Sequence, residues 1–137
     1  MRPVVFFAAF VCLTNVVHAA NWVKVASQTG LAIYADSESV VHNDGKARAW
    51  FWYKYDVPFT VPGTDPPVSY KEVKALESFK CAERVYINLV QVLYKDQKAF
   101  YTTKAADEAE NYNEVVPGTM SEGMFNFTCQ RTSKADN

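Results

Sequence analysis

The chain has 137 residues, with 14 Lys and Arg against 15 Asp and Glu, a formal net charge of −1, and an aromatic content of 15%. That is the length of one domain with one core, and its interspersed charges lack the basic stripe of a nucleic-acid-binding surface. Beyond residue 20 no apolar run approaches the ~20 residues needed to cross a bilayer as a helix.

The first predicted element is a leader over residues 1–19. Arg2 supplies a positive start, Val4 to Leu13 is an almost unbroken apolar run, and Val17-His18-Ala19 places small or aliphatic residues where a signal peptidase reads. Cys12 follows Val11 rather than the small residue that precedes a lipidated cysteine, so it is expected to leave with the leader. The mature domain, residues 20–137, then carries 13 Lys and Arg against 15 Asp and Glu, a net charge of −2. It retains two cysteines, Cys81 and Cys129, and export to an oxidising compartment predicts that they pair. The loop closed spans about 49 residues, for which chain entropy alone is worth about 4 kcal/mol. Two free buried thiols would require the leader assignment to be wrong.

Period-two alternation of β-branched and aromatic residues dominates the mature chain, the pattern of half-buried antiparallel strands. Trp22 to Ala26 and Leu31 to Ala35 flank Ser27-Gln28-Thr29-Gly30, a hairpin loop with glycine at its positive-φ position. Asp36 to Ser39 reads as a turn, and Asn43-Asp44-Gly45 as another. A third strand runs from Lys46 to Tyr55. One of its faces carries Ala47, Ala49, Phe51, Tyr53 and Tyr55; the other carries Lys46, Arg48, Trp50, Trp52 and Lys54. Asp56 to Val68 holds four prolines and Gly63 and is expected to be an exposed loop. Strands Ser69 to Lys80 and Glu83 to Tyr94 come next, then a turn at Lys95-Asp96-Gln97 and a sixth strand, Lys98 to Thr103.

Ala105 to Asn113 is acidic and reads as a surface loop or short helix. Pro117-Gly118 stops the chain, and Thr119-Met120-Ser121-Glu122 matches a capping box, which predicts a C-terminal helix from about Met120 with Thr119 as its N-cap. The alternation of Phe125, Phe127 and Cys129 with Asn126 and Thr128 argues for a strand instead. On a helix, Met120, Met124 and Phe127 share one side while Phe125 and Cys129 share another. Arg131 to Asn137 is a polar tail.

Catalytic chemistry finds little to work with. The mature chain has one histidine, His42, beside a turn, so triads and two-histidine metal sites are out. Asp36 and Glu38 form a carboxylate pair of the kind that more often caps a turn than carries out acid–base work. No phosphate-cradling glycine loop is present. Asn126-Phe127-Thr128 spells a glycosylation sequon, but its apolar neighbours make it a chance match. No enzyme activity, metal or cofactor is therefore expected. The most suggestive surface is the mixed face of the third strand, with Arg48, Trp50, Trp52 and Lys54 as candidate partner-binding residues, since Trp, Tyr and Arg are enriched at interface hot spots. The plainer account is that the tryptophans are half-buried by their neighbours, with the cations at the edges.

In order and spacing these features resemble the surface-adhesin E family of exported bacterial proteins. The resemblance is carried by Trp22, Tyr34-Ala35-Asp36, Trp50, Ser69-Tyr70, Phe79-Lys80-Cys81, Tyr94, Val116-Pro117-Gly118-Thr119 and Cys129. It covers nearly the whole mature chain. It implies an α+β fold: an antiparallel sheet of about six strands with a C-terminal helix tied to one face by the disulfide. It also implies a non-enzymatic binding protein that attaches to host-cell or matrix proteins, located in the periplasm, on the cell surface or secreted; the aromatic face of the third strand adds a homodimer as a further option. The alternative is a periplasmic enzyme inhibitor or envelope accessory protein. No nucleic-acid partner is implied.

Overall fold

A computed structural model describes residues 19–104 and 111–130. Residues 1–18, which hold Cys12 and nearly all of the expected leader, lie outside the described residues, as do most of the acidic segment and the polar tail. The described chain forms β1 (Trp22–Gln28), β2 (Leu31–Asp36), β3 (Val41–Asn43), β4 (Lys46–Thr60), β5 (Ser69–Lys80), β6 (Val85–Lys95), β7 (Lys98–Lys104), β8 (Asn113–Glu114) and α1 (Met120–Gln130). All pairings are antiparallel, in the order β1-β2-β4-β5-β6-β7, with β3 beside the start of β4 and β8 beside the start of β6.

The turns form where the residue types demand. The β1–β2 hairpin closes on Thr29 and Gly30, tighter than the four-residue loop expected, because Ser27 and Gln28 remain in the ladder opposite Ala32 and Leu31. Gly30 has φ 84°, and Asp44 and Gly45 have φ 47° and 74°. These are left-handed conformations that match the twist of paired strands. The β6–β7 turn uses Asp96 and Gln97, both at positive φ without a glycine.

Two expectations about loops are corrected. β4 continues through Asp56 to Thr60, so the proline-rich segment is a loop only from Val61 to Val68. Pro58 is tolerated because it falls between Lys54 and Phe59, where the β4–β5 register shifts and no ladder amide is required of it. Pairing then resumes as Phe59 with Tyr70 and Thr60 with Ser69. Asn113, read from sequence as the end of a surface loop or short helix, instead pairs with Tyr86 and begins β8.

The C-terminal segment is a helix, as the capping signal indicated, and it lies on one face of the sheet. Beneath it the core comprises Ile33 and Ala35 of β2, Ala49 and Phe51 of β4, and Phe79 of β5, closed above by Val115, Met124 and Phe125. Fully buried alanines at 35, 49 and 75 leave room for the larger side chains. The helix is apolar on more than one side because it is covered on more than one side. Met124, Phe125 and Thr128 are buried, while Met120, Phe127 and Cys129 pack partly buried against the core. Gly123 explains how close the helix comes: a Cβ there would stand 2.6 Å from the Val25 carbonyl oxygen of β1. Cys81 and Cys129 are bonded with a Cα separation of 5.7 Å, tying the end of β5 to the end of α1.

The capping geometry differs from the expected box. The Thr119 hydroxyl donates to the Val116 carbonyl at 2.7 Å and contacts the Ser121 hydroxyl, rather than accepting from a helix amide. The Glu122 carboxylate does the capping: it accepts from the Gly118 amide at 2.9 Å and from Arg84 at 3.2 Å. At the other end, His42 Nε2 lies 3.0 Å from the Thr128 carbonyl oxygen, so this histidine serves one of the orphan carbonyls of the helix C-terminus. Thr128 is itself fully buried, its hydroxyl donating to the Met124 carbonyl, which leaves the sequon threonine in the core.

Candidate functional site

Because side chains alternate along a strand, covering one face with α1 leaves the other free of it. Register determines what gathers there: Trp52 stands opposite Tyr34 of β2 and Lys74 of β5, and Trp50 stands opposite Leu76. Lys74 in turn faces Val92 of β6, Lys54 faces Glu72, and Glu72 faces Tyr94. At the near edge Trp22 completes the set from β1. All three tryptophans of the chain therefore lie on this one face, while the core beneath the helix uses phenylalanine and alanine.

The rings form a connected cluster. Trp22 meets Trp52 edge-on at 5.4 Å between centroids, and Tyr34 lies 6.1 Å from Trp52. Two ammonium groups rest on it. Lys54 Nζ is 3.6 Å above the Trp52 ring and 5.4 Å from that of Tyr34. Lys74 Nζ lies 4.9 Å from Tyr94, 5.4 Å from Trp52 and 5.5 Å from Trp22. Beside Lys74 opens a mostly apolar pocket of about 210 Å³, lined by Trp22, Asp36, Trp50, Lys74, Val92 and Tyr94. Trp22, Trp50, Trp52, Lys54 and Lys74 are all half-buried, their sides covered by neighbours and their outer surfaces open to solvent.

Of the four candidate residues, Trp50, Trp52 and Lys54 belong to this cluster. Arg48 is on the same face but apart from it, exposed, in a separate hollow of about 250 Å³ with Val41, Asn43, Asp44, Ser78 and Leu89. Sequence reasoning missed Trp22, Tyr34 and Lys74 as members, and the periodicity of its own strand did not fix which face Tyr94 shares. These four residues come from four strands besides β4, namely β1, β2, β5 and β6, and join it through cross-strand register, which one strand's periodicity does not contain.

Both carboxylates of the cluster are occupied within the chain. Asp36 Oδ1 accepts from the Asn21 amide at 3.0 Å and the Glu38 amide at 3.1 Å, closing the turn after β2. Glu72 Oε2 accepts from Trp52 Nε1 at 3.2 Å. Asp36 is thus a turn cap.

The strongest electrostatic perturbation lies on the opposite face. Glu77 of β5 is 2% exposed under the helix. Its Oε1 accepts from the Tyr53 hydroxyl, which also lies 3.6 Å from Met124 Sδ, while its Oε2 has no hydrogen-bond partner among the described residues. Burial pushes the Glu77 carboxyl up to about 7, against the pull of the Tyr53 hydrogen bond. Burial, and then the neighbouring Glu77, raises the Tyr53 phenol, and the same two causes raise Tyr86. A substrate would have to displace the helix to reach this group. Among the described residues no three His, Cys, Asp or Glu side chains gather as metal ligands, and no helix is long and apolar enough to cross a membrane.

Residues 22–130, from the first strand to the last residue of the helix, match the family model described as surface-adhesin protein E. Compared with proteins of curated function, the chain matches none.

Proposed function

The chain belongs to the surface-adhesin protein E family, and from that premise we propose that it is a non-enzymatic exported protein that binds another protein through the helix-free face of its sheet. One observation carries the proposal: all three tryptophans, with Lys54 and Lys74 stacked on them, are on the face the helix leaves open rather than in the core. Aromatic and cationic side chains of this kind dominate interface energetics, and a patch of them on one surface is usually covered in use. The leader over residues 1–19 supports delivery outside the cytoplasm, and attachment to host-cell or matrix proteins is the role that the family suggests.

The test is capture by the full chain from host matrix and from envelope extract. Trp52→Ala is expected to weaken association by about 2 kcal/mol with an unchanged unfolding midpoint. Unaltered capture by that variant would remove this face as the binding site. Antibody labelling of intact cells places the protein: labelling without permeabilisation supports an adhesin, and labelling only after permeabilisation supports a periplasmic inhibitor or envelope accessory instead.

A further inference from the structure

The charge of the helix-free face is unbalanced in one direction: Lys24, Arg48, Lys54 and Lys74 share it with two carboxylates, Asp36 and Glu72. Glu72 stands opposite Lys54 in the ladder, yet its Oε2 is held by the Trp52 indole and the lysine lies across the ring instead. Asp36, at the pocket edge, has its Oδ1 committed to two backbone amides. Among the described residues neither Lys54 nor Lys74 has a carboxylate within ion-pair distance. Each is half-buried against π-faces, where an ammonium group has lost part of its hydration. An incoming carboxylate therefore gains more here than it would from a lysine extended into water.

The adjoining pocket has a different character. Trp22, Trp50, Val92 and Tyr94 supply apolar walls, and its volume of about 210 Å³ falls below the ~300–1,000 Å³ of sites that engulf a whole small molecule. It suits one large side chain of a longer ligand.

We propose that this basin receives an acidic peptide segment of the partner, one apolar or aromatic side chain seated among Trp22, Trp50, Val92 and Tyr94 and its flanking carboxylates set on Lys54 and Lys74. This rests on the reading of the helix-free face as the protein-binding face and specifies the chemistry that face selects. A basic segment would bring like charges onto two lysines that have no carboxylate within ion-pair distance among the described residues, and a neutral one would leave them unmatched.

Because every tryptophan of the chain lies at the site, intrinsic fluorescence of the full chain reports occupancy without a label. Three synthetic peptides serve as probes: Glu-Asp-Phe-Asp-Glu, the same peptide with alanine for phenylalanine, and Lys-Lys-Phe-Lys-Lys. The first is expected to give a saturable change that weakens with added salt, the second a weaker one, and the third none. Lys54→Glu with Lys74→Glu is expected to lower affinity for the first peptide by about ten-fold or more. Lys54→Gln with Lys74→Gln provides the same comparison should the reversal impair folding, as judged by the thermal midpoint. An equal response to the basic peptide, or none to the acidic one, overturns the proposal. So does a sulfated glycan such as heparin that binds in a lysine-dependent way where the acidic peptide does not. Partner capture lost in Trp52→Ala but indifferent to the lysine variants and to acidic competitor sinks this inference and leaves the binding face standing; capture indifferent to all of them sinks both.

Discussion

Glu77 is held in a place that favours its neutral form, and that has a measurable consequence. Its folded value of about 7 lies above the ordinary 4.5, so the folded state binds the proton more tightly than the unfolded chain does. The associated stability is full below about pH 4.5 and is lost as pH rises through 7, up to about 3 kcal/mol over the interval. The groups facing it, Tyr53 and Tyr86, are raised rather than lowered and stay neutral throughout that window. Urea midpoints measured from pH 4.5 to 8 should fall for the native chain and stay flat for Glu77→Gln, which keeps an acceptor for Tyr53 and has no charge to bury. A native chain with a flat profile would show that Glu77 is not desolvated in solution. Gly123 is the second residue whose environment dictates its identity. Gly123→Ala would drive a methyl toward the Val25 carbonyl oxygen and is expected to cost about 1–3 kcal/mol in the same assay, although alanine is the better helix former.

At the scale of elements, the start of α1 shows how a correct signal arrives with different bonds. Thr119 and Glu122 mark the helix boundary, but glutamate alone reaches a free amide, that of Gly118, and the threonine hydroxyl turns back to Val116. Glu122→Ala is therefore expected to destabilise by about 1 kcal/mol, and Thr119→Ala by less, in thermal unfolding; the reverse order would restore the box. β4 behaves in a related way. Its proline count argues for a loop from Asp56, but a register shift absorbs Pro58 and lets the strand continue to Thr60. Proline ends a strand only where the ladder needs the missing amide.

The whole molecule is one sheet with two unlike faces, one closed by a helix and a covalent tie. Cys81→Ser is expected to cost a few kcal/mol, bounded by the ~4 kcal/mol of loop entropy, and two alkylatable thiols in unreduced protein would contradict the bond. Most of this plan is legible in sequence: the strand alternation, the turn glycines, the cysteine pair and the face carrying Ala47, Ala49 and Phe51 all derive from local stereochemistry and period-two geometry. The short strands β3 and β8 are not, since two or three residues carry no periodicity and exist only because β4 and β6 offer them an edge. Nor is Glu77, which sits at a position of its strand that faces the helix. Alternation puts it on one face with Val73, Ala75 and Phe79, but only the helix packed over that face turns it from a carboxylate at a sheet surface into a buried one. The candidate site obeys the same rule. Trp50, Trp52 and Lys54 are visible together because alternation along one strand puts them on one face. Trp22, Tyr34, Lys74 and Tyr94 join them only through cross-strand register, a long-range property that the sequence encodes in the summed packing of the sheet and displays at no single position.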